Sequence, residues 1–404
     1  MLVGIDDMDM YVAPFSLDSK ELSLKRTFPE KTVQEVGFTA RSIVPCYEDV
    51  VTQAVNAAQS LTAGKEDQYK LLILGTESSL DFGKPISTYV QKYLNLNQNC
   101  TNFEIKHACY SGTAAVRLAT SWVQAREDNA KALVIMSDLA RAHLDDSAEI
   151  TSGSGAVAIS ISKNPKILAL DKINGTATKE VYDVARPTVD FEWGDPLLSL
   201  YAFLDLAEIA WNDFSRKTGI KNLETAFDYM LYHIPLISLA KKTHHTLLEL
   251  CNPDLNLDQS KASFQKMVEP SLAYNRLVSN VYSGSIWTSL LSLIDHNPQL
   301  KEGTKIGFFS YGSGACAEFF TGQIGSDAYK LLQEKKLALR FKQRQNISVA
   351  EYEEAIKKTM TLLSIKEYSP DYNQFKNAFD THYKNQKKLV LENIDNYHRS
   401  YRWS

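Results

Sequence analysis

A layered α/β fold is predicted by three features of this 404-residue sequence. Short apolar segments typical of buried strands alternate with amphipathic segments typical of helices. The pattern starts again after Pro165, so two series of elements follow each other in a similar order. A hydrophobic content of 44% is sufficient for a large core. Strands and helices that alternate in two tandem series indicate a layered α/β architecture.

The elements of the two series follow from these patterns. In the first series, three strands and two helices are predicted at 71–75, 132–136 and 156–162, and at 50–60 and 114–126. In the second series, a strand, a long helix and a closing strand are predicted at 167–170, 198–218 and 305–310. We therefore divide the chain into residues 1–165 and 166–404. The tail from Lys335 onward is rich in charge and tyrosine and is expected to form surface helices.

Composition and charge exclude several classes of protein. The formal net charge of -4 gives no overall attraction to nucleic acid or anionic membranes. The acidic N-terminus is typical of a strand and not of a signal peptide, and no apolar run reaches the roughly 18 residues of a membrane span. The five cysteines have neither metal-ligand nor disulfide spacing: Cys46, Cys100, Cys109, Cys251 and Cys316. We expect a reducing compartment, the cytoplasm.

Cys109 lies in the segment HACYSGT (107–113), between an apolar segment and an amphipathic helix. Unpaired backbone N–H groups at the start of a helix, together with the helix dipole, favour a thiolate. Cys109 is therefore a candidate nucleophile. It can equally be one of the small buried cysteines that are common in protein cores, and the local sequence does not separate the two interpretations.

Three further candidates follow predicted strands, where α/β folds commonly place their sites. Glu77 is either a solvated loop residue or a general base whose pKa is raised by an apolar pocket. His233 interrupts an apolar run at 229–235 and is either a hydrogen-bonded core residue or a catalytic one. The turn SYGSG (310–314) is either an ordinary tight turn or a set of backbone N–H donors for an oxyanion.

The order of five motifs along the chain resembles the 3-hydroxy-3-methylglutaryl (HMG) synthase family of the thiolase superfamily. The motifs are ESSLDFGK (77–84), HACYSGT (107–113), HIP (233–235), SNVYSGS (279–285) and SYGSG (310–314). The resemblance extends from GIDDMDMYV (4–12), through VYDVARPT (181–188), to the terminal HRSYRWS. Five motifs in order are far more specific than any single one. The resemblance implies a five-layered αβαβα thiolase-like fold with two related halves, and a homodimer.

The resemblance also implies a role for each motif residue. The family's nucleophilic cysteine falls on Cys109, its glutamate acid and base on Glu77, and its histidine on His233. Three residues are expected to bind substrate, namely Asn280, Gly312 and Ser313. In this chemistry, the cysteine carries an acetyl group, and the glutamate removes a methyl proton to form an enolate. The enolate adds to a β-ketone polarised by the histidine, and water releases the product. No metal and no permanently bound cofactor is implied.

Members of this family differ in their acyl carrier. Mevalonate-pathway members use coenzyme A, whereas polyketide β-branching members take acyl groups from acyl carrier proteins. The segments DFGKPISTY (81–89), LSLYAFLDL (198–206) and YRWS (401–404) resemble the β-branching subgroup. The implied partners are a donor acetyl-acyl carrier protein and an acceptor acyl carrier protein of a polyketide synthase. The alternative is a mevalonate-pathway synthase that uses acetyl-CoA and acetoacetyl-CoA.

Two details of the sequence bear on substrate handling. Ala142 follows Arg141 where mevalonate-pathway relatives usually have tyrosine, so handling of the acceptor is expected to differ. Lys241 and Lys242 can bind a phosphopantetheine or CoA phosphate, or can simply lie on a solvated helix face. A ketosynthase III-like enzyme also uses a catalytic cysteine and a histidine but has no use for Glu77. A catalytically silent scaffold is disfavoured because all three reactive positions are present.

Overall fold

The computed structural model describes residues 2–139, 142–187, 192–362, 364–375 and 378–404. Arg141 and Thr188, which belong to segments discussed above, lie outside the described residues. Across the described ranges, no helix is both long enough and apolar enough to span a membrane. The same ranges contain no group of three His, Cys, Asp or Glu side chains that could hold a metal ion.

The strands of the described residues form one large sheet and three small ones. In chain order they are β1 (Val3–Tyr11), β2 (Phe15–Asp18), β3 (Ala40–Ile43), β4 (Tyr69–Gly75), β5 (Thr101–Ile105), β6 (Lys131–Leu139), β7 (Ser154–Lys163), β8 (Leu168–Thr178), β9 (Val184–Ala185), β10 (Trp193–Gly194), β11 (Tyr229–Tyr232), β12 (Lys305–Gly312), β13 (Cys316–Ile324), β14 (Gln345–Asn346), β15 (Leu389–Asp395) and β16 (His398–Trp403). The large sheet has the order β11-β12-β13-β8-β1-β7-β6-β4-β5. All strands predicted in the two series belong to it.

Helices connect these strands. In chain order they are α1 (Ser19–Arg26), α2 (Glu30–Val36), α3 (Val50–Thr62), α4 (Ile86–Tyr93), α5 (Ser111–Ala125), α6 (Pro196–Thr218), α7 (Leu223–Ala226), α8 (Ile237–Cys251), α9 (Leu257–Met267), α10 (Ala273–Val278), α11 (Ser285–Asp295), α12 (Ala328–Lys335), α13 (Leu337–Lys342), α14 (Val349–Thr361) and α15 (Ala378–His382). The predicted helices at 50–60, 114–126 and 198–218 correspond to α3, α5 and α6.

The two parts of the large sheet meet where β1 pairs with β8, at Gly4 with Ala169 and at Ile5 with Leu168. A side chain at position 4 would collide with the backbone oxygen of Leu168, so glycine permits this close pairing. On one side of the junction lie β7, β6, β4 and β5, and on the other side lie β13, β12 and β11. The sheet therefore joins strands from both predicted series.

Three hydrophobic clusters separate the layers. The first packs α3 against the face of β4 and β6 that carries Leu72 and Leu133. Ile73 and Val134 point the opposite way, because side chains alternate along a strand, and join a second cluster with α5, α11 and Phe308 of β12. The third cluster packs α6 and α8 on the far face of β11, β12 and β13. The layers are therefore helices, the β4–β6 part of the large sheet, helices, the β11–β13 part of the same sheet, and helices, as in the expected five-layered arrangement.

Local sequence explains where the main helices begin and end. The Asp49 side chain accepts hydrogen bonds from the backbone of Val51 and Thr52, and the Asp49 backbone N–H donates to the Thr52 hydroxyl, which fixes the start of α3. The Asp195 side chain accepts two backbone N–H groups at the start of α6, and Gly219 ends that helix with a left-handed φ of 76°. Both helices therefore carry their own start signals.

The tail is only partly helical. The expectation of helices holds for α13 to α15, but residues 389–403 form the β15–β16 hairpin, in which Leu391 and Tyr401 are buried. The Tyr401 hydroxyl donates to Asp49 at 2.8 Å, and Arg399 contacts the same carboxylate at 3.3 Å. The end of the chain thus packs against the start of α3. The expectation is wrong for this hairpin because the tail covers the first hydrophobic cluster.

Candidate active site

Glu77 lies directly past the end of β4, at a turn held by side chains. The backbone N–H of Glu77 donates to Asp138 Oδ1 at 2.9 Å, and the Thr76 hydroxyl donates to the same oxygen at 2.9 Å. Gly75 lets the turn approach α5, since a Cβ atom there would lie 2.7 Å from the backbone oxygen of Ser111. The end of β4 therefore places Glu77 beside the start of α5.

Asp138 organises this part of the molecule. It is fully buried near the end of β6, and its Oδ1 also accepts the hydroxyl of Ser78 at 2.9 Å. Its Oδ2 accepts the backbone N–H of Ser283 at 3.1 Å and the Ser283 hydroxyl. One carboxylate thus joins the Glu77 turn to the SNVYSGS segment. Several donors to one buried carboxylate hold it in a fixed position.

Cys109 lies between β5 and α5, two residues before the first helical residue. Its Sγ atom is 3.3 Å from Oε2 of Glu77. Ala108, the preceding residue, has a φ of 40°, which is uncommon for a residue other than glycine. Such backbone strain occurs where surrounding structure fixes a functional group. Cys109 is half-buried as a whole residue.

Electrostatics around Cys109 differ from the expectation. Burial, reinforced by the charges of Glu77 and Asp138, raises the pKa of the Cys109 thiol well above its ordinary value. Burial also raises the pKa of Glu77, and Glu192 adds to that rise while Arg186 opposes it. The prediction of a thiolate at the helix terminus is therefore wrong for the resting site, because burial and carboxylates outweigh the helix dipole. The resting thiol is neutral and donates to Glu77.

His233 immediately follows β11 in the second part of the sheet. Its backbone N–H donates to the carbonyl of Phe309 at 2.8 Å, and its ring stacks on Phe203 with centroids 6.2 Å apart. Burial lowers the pKa of His233 to about 3. The imidazole is therefore neutral at pH 7, and one ring nitrogen carries a proton that can be donated in a hydrogen bond.

Asn280 is held by the backbone on both sides. Its N–H donates to Thr151 at 2.9 Å, and its side-chain oxygen accepts the N–H of Tyr282 at 2.9 Å. Only 8% of Asn280 is exposed. Within the described residues, its NH₂ group has no hydrogen-bond acceptor, so this end of the amide can donate to a substrate oxygen.

The glycine-rich turn at the end of β12 lies against the Cys109 segment. A Cβ atom at Gly312 would be 2.7 Å from the backbone oxygen of His107, so only glycine permits this approach. Asp183 fixes the turn, because it accepts the Tyr311 hydroxyl at 2.7 Å and the backbone N–H of Gly314 at 3.0 Å. The segment that contains Ser313 is therefore placed next to the segment that carries Cys109.

Arg186 connects Glu77 to a second carboxylate. Its Nη1 donates to the backbone oxygen of Glu77 at 2.7 Å, and its Nη2 lies 3.2 Å from Glu192 and 3.8 Å from the Glu77 carboxylate. The Tyr282 hydroxyl donates to Glu192 at 3.3 Å. Arg186 thus places a fixed positive charge beside a buried base, which limits how far burial raises the pKa of that base.

The structure brings the predicted residues together to different degrees. Glu77 and Cys109 are in direct contact. The HIP and SNVYSGS segments, which carry His233 and Asn280, are in contact with each other. The Ser285 hydroxyl donates to the backbone oxygen of Ile234 at 3.1 Å. The lysines of α8, Lys241 and Lys242, are exposed on the helix surface, and Ala142 is buried.

Three groups that position the site were missed by the sequence analysis: Asp138, Asp183 and Arg186. Asp138 follows a predicted strand in the same way as Glu77, and that signal could have identified it. The other two lie in VYDVARPT, which was noted only as a point of resemblance.

Comparisons with known proteins identify relatives of the whole chain in sequence and in fold. Two family models match the chain, hydroxymethylglutaryl-coenzyme A synthase N terminal over residues 2–166 and the corresponding C terminal model over residues 252–403. The Bacillus subtilis protein PksG, a polyketide biosynthesis 3-hydroxy-3-methylglutaryl-ACP synthase, is 32% identical over 99% of each chain. Its structure superposes with a TM-score of 0.94 and covers all of both chains.

Two further relatives cover most of the sequence. The curacin biosynthetic pathway HMG synthase, solved in complex with holo donor-ACP, has a TM-score of 0.95 and 31% identity over all of both chains. A hydroxymethylglutaryl-CoA synthase of Enterococcus faecalis is 34% identical over 89% of this chain and 93% of its own. The likeness over the whole chain confirms the thiolase-like fold. The chain belongs to the hydroxymethylglutaryl synthase family of condensing enzymes.

Proposed function

We propose that this protein is an HMG synthase that adds a Cys109-bound acetyl enolate to the β-ketone of a polyketide thioester on an acyl carrier protein. The observation that carries this proposal is the 3.3 Å contact between Cys109 Sγ and the buried carboxylate of Glu77, in a chain of this family. A nucleophile and a base within hydrogen-bond reach are what acyl transfer followed by proton abstraction requires.

The first step is transfer of the acetyl group. Cys109 Sγ attacks the carbonyl carbon of the donor thioester while Glu77 accepts the thiol proton, so the raised thiol pKa is overcome by an adjacent base. The bond from the acetyl carbon to the donor sulfur then breaks, and the donor thiolate takes up the proton. Backbone N–H groups at Cys109 and near Ser313 are expected to stabilise the oxyanion.

The second step forms the carbon–carbon bond. Glu77, now unprotonated, removes a proton from the acetyl methyl group, and the enolate carbon attacks the β-carbonyl carbon of the acceptor. Because its pKa lies at about 3, His233 is neutral and acts on the ketone oxygen as a hydrogen-bond donor. Asn280 positions the acceptor through its NH₂ group. The alkoxide that forms takes up the proton held by Glu77. Water then cleaves the thioester to Cys109, which releases a carboxylic acid and restores the thiol.

The reacting groups are divided between the two proposed halves of the chain. Glu77 and Cys109 belong to residues 1–165, and His233, Asn280 and Ser313 belong to residues 166–404. Acyl transfer therefore depends mainly on the first half and acceptor activation on the second.

Replacing His233 by alanine should separate the two steps. Acetylation of Cys109 should stay within about threefold of the unmodified enzyme, because the thiol proton goes to Glu77, while condensation should fall about 10²- to 10³-fold. Rapid-quench measurement of the acetyl-enzyme and of the product gives both rates. His245→Ala is the matched control, because His245 lies on α8 with its Nε2 atom 3.2 Å from Glu249. Equal loss of both rates would contradict the assigned role.

A carrier protein as substrate is supported by exposed apolar residues in the chain segments next to Asp183, Glu192 and Asp195. Tyr182 stacks on Trp193 with ring centroids 5.2 Å apart, and the two residues are 58% and 43% exposed. Leu197 and Tyr201 of α6 are 60% and 62% exposed. Exposed apolar side chains of this kind are typical of protein-binding surfaces. The full-length likeness to PksG and to the curacin synthase, which was solved with a donor ACP, supports the same choice over coenzyme A.

The choice of acetyl donor can be measured directly. We expect acetyl-acyl carrier protein to acetylate Cys109 with a higher kcat/KM than acetyl-CoA, and added salt to weaken the carrier reaction more. Tyr201→Ser should slow acetylation by the carrier about tenfold without changing the reaction of acetyl-CoA. Tyr397→Ser is the matched control, because Tyr397 is 64% exposed in the β15–β16 turn. Equal or better use of acetyl-CoA, with efficient condensation onto acetoacetyl-CoA, would favour the mevalonate-pathway alternative.

A homodimer is supported by the edge of the large sheet. Among the described strands, β5 is the last in the sheet order and pairs only with β4. Phe103, in the middle of β5, is 37% exposed. An unprotected edge strand with an exposed aromatic residue favours pairing with another chain.

The five free cysteines agree with the cytoplasm as the compartment.

A further inference from the structure

A cavity lined by basic side chains lies outside the proposed active site. It has a volume of about 220 Å³ and lies between the end of β1, α3, α13 and the segment before β15. Four basic side chains line it: Arg340, Arg344, Lys388 and His382. No aspartate or glutamate among the described residues lines it. The cavity is therefore strongly electropositive, although the chain is acidic overall.

Two of these cations lack an acidic partner. Arg344 donates to the backbone oxygens of Leu277 at 2.9 Å and Arg41 at 3.3 Å, and the described residues provide no carboxylate within ion-pair reach of its guanidinium. Its Nε atom is buried without a hydrogen-bond partner. Burial lowers the pKa of Arg344 to about 10, so the group stays charged at pH 7. A buried charge without a counter-ion is costly, and a bound anion removes that cost.

Lys388 is the second such cation. Its Nζ lies 5.1 Å and 5.7 Å from the ring centroids of Tyr383 and Tyr11, and no carboxylate in the described parts of the chain lies within ion-pair distance. Burial lowers the pKa of Lys388, and the nearby charge of Glu48 opposes that shift. A bound anion would therefore favour the charged form of the ammonium group.

Arg340 and His382 complete the wall. Arg340 is paired with Asp9 and donates to the carbonyl of Met10 at 2.8 Å, but its Nε is buried without a partner. Two arginines and one lysine are thus a set of positively charged side chains in one cavity wall. Phosphate matches this set, because guanidinium groups bind it through paired N–H donors.

We propose that the cavity formed by Arg340, Arg344, Lys388 and His382 binds a phosphate group, either as inorganic phosphate or as the end of a small phosphomonoester. The site is independent of the proposed active site, since none of its lining residues belongs to the catalytic motifs. Arg344 also donates a hydrogen bond to the carbonyl of Leu277, three residues before Asn280. The proposed phosphate site therefore lies next to the segment that carries the Asn280 amide.

Isothermal titration calorimetry of the full-length protein with sodium phosphate at pH 8 tests this proposal. Sulfate, acetate and phenyl phosphate are titrated in parallel at matched ionic strength. We expect one saturable phosphate site per chain, with acetate at least tenfold weaker because a monocarboxylate carries half the charge. Tighter binding of phenyl phosphate than of phosphate would identify a phosphomonoester as the preferred source, and weaker binding would identify inorganic phosphate.

Variants locate the binding. Lys388→Met, which keeps the aliphatic contact with the two tyrosine rings, should raise the Kd for phosphate at least tenfold and leave acetylation of Cys109 unchanged. Arg344→Gln should have a similar effect on the Kd. Lys384→Met is the matched control, since Lys384 is 62% exposed and pairs with Asp380 on the surface. Absence of saturable binding, or binding that Lys388→Met leaves unchanged, would overturn the proposal.

Discussion

Replacement of Cys109 by serine is expected to abolish acetylation and to lower turnover by at least about 10⁴-fold, in the range found when a covalent nucleophile is removed. A serine hydroxyl is a far weaker nucleophile than a thiol, and Glu77, although close to position 109, does not make up that difference. Peptide mass spectrometry after incubation with an acetyl thioester should find the acetyl group on Cys109 alone.

Cys316 provides the control for this experiment. It is half-buried, and burial raises the pKa of its thiol to about 11, but its sulfur faces Tyr110 and Glu318 instead of Glu77. The Cys316→Ser variant should therefore be acetylated on Cys109 and turn over at the same rates as the unmodified enzyme. An acetyl group on Cys46, Cys100, Cys251 or Cys316, or undiminished turnover of Cys109→Ser, would contradict the assignment of the nucleophile.

Replacement of Glu77 by glutamine is expected to slow acetylation, because Glu77 accepts the thiol proton, and to lower condensation from pre-acetylated enzyme by about 10²- to 10⁴-fold, the usual contribution of a general base. The amide keeps the shape of the side chain and can still accept a hydrogen bond from Cys109, but it cannot take the methyl proton. Pre-acetylated enzyme mixed with the acceptor in a rapid-quench instrument isolates the condensation step.

The pH dependence of condensation follows from the same carboxyl group. Glu77 must be unprotonated to act as a base, and burial raises its pKa above the ordinary carboxyl range. The condensation rate should therefore rise with increasing pH through this raised pKa and then level off. The rise should be absent from Glu77→Gln. If Glu77→Gln condenses normally, the enzyme follows ketosynthase-like chemistry, in which this glutamate has no part.

Much of the fold and part of the site follow from local sequence. The strand at 71–75 and the helix at 198–218 appear within a few residues of the observed β4 and α6, because apolar runs and capping residues such as Asp195 are local signals. Glu77 and Cys109 were both predicted, and they are in contact although 32 residues separate them. Residues placed at strand ends were predictable, since the fold class brings strand ends together.

The rest depends on contacts between distant parts of the chain. Asp138 acts through bonds to Ser283, which lies 145 residues away, and no local pattern specifies such a pairing. The charge state of Cys109 was predicted wrongly because the sequence shows the helix start but not the burial and the carboxylates around the thiol. The β15–β16 hairpin was missed because its burial depends on α3, whose cap at Asp49 receives Tyr401.

The central claim is that acetyl-Cys109 condenses with a carrier-bound β-ketoacyl group. The most direct test is the intact mass of the acceptor carrier protein after it is mixed with enzyme acetylated by the donor carrier. The proposed reaction predicts that the acceptor gains the elements of acetic acid, one acetyl unit and one water, while the enzyme loses its acetyl group. An acceptor of unchanged mass, with the acetyl group lost from the enzyme by hydrolysis alone, would contradict it.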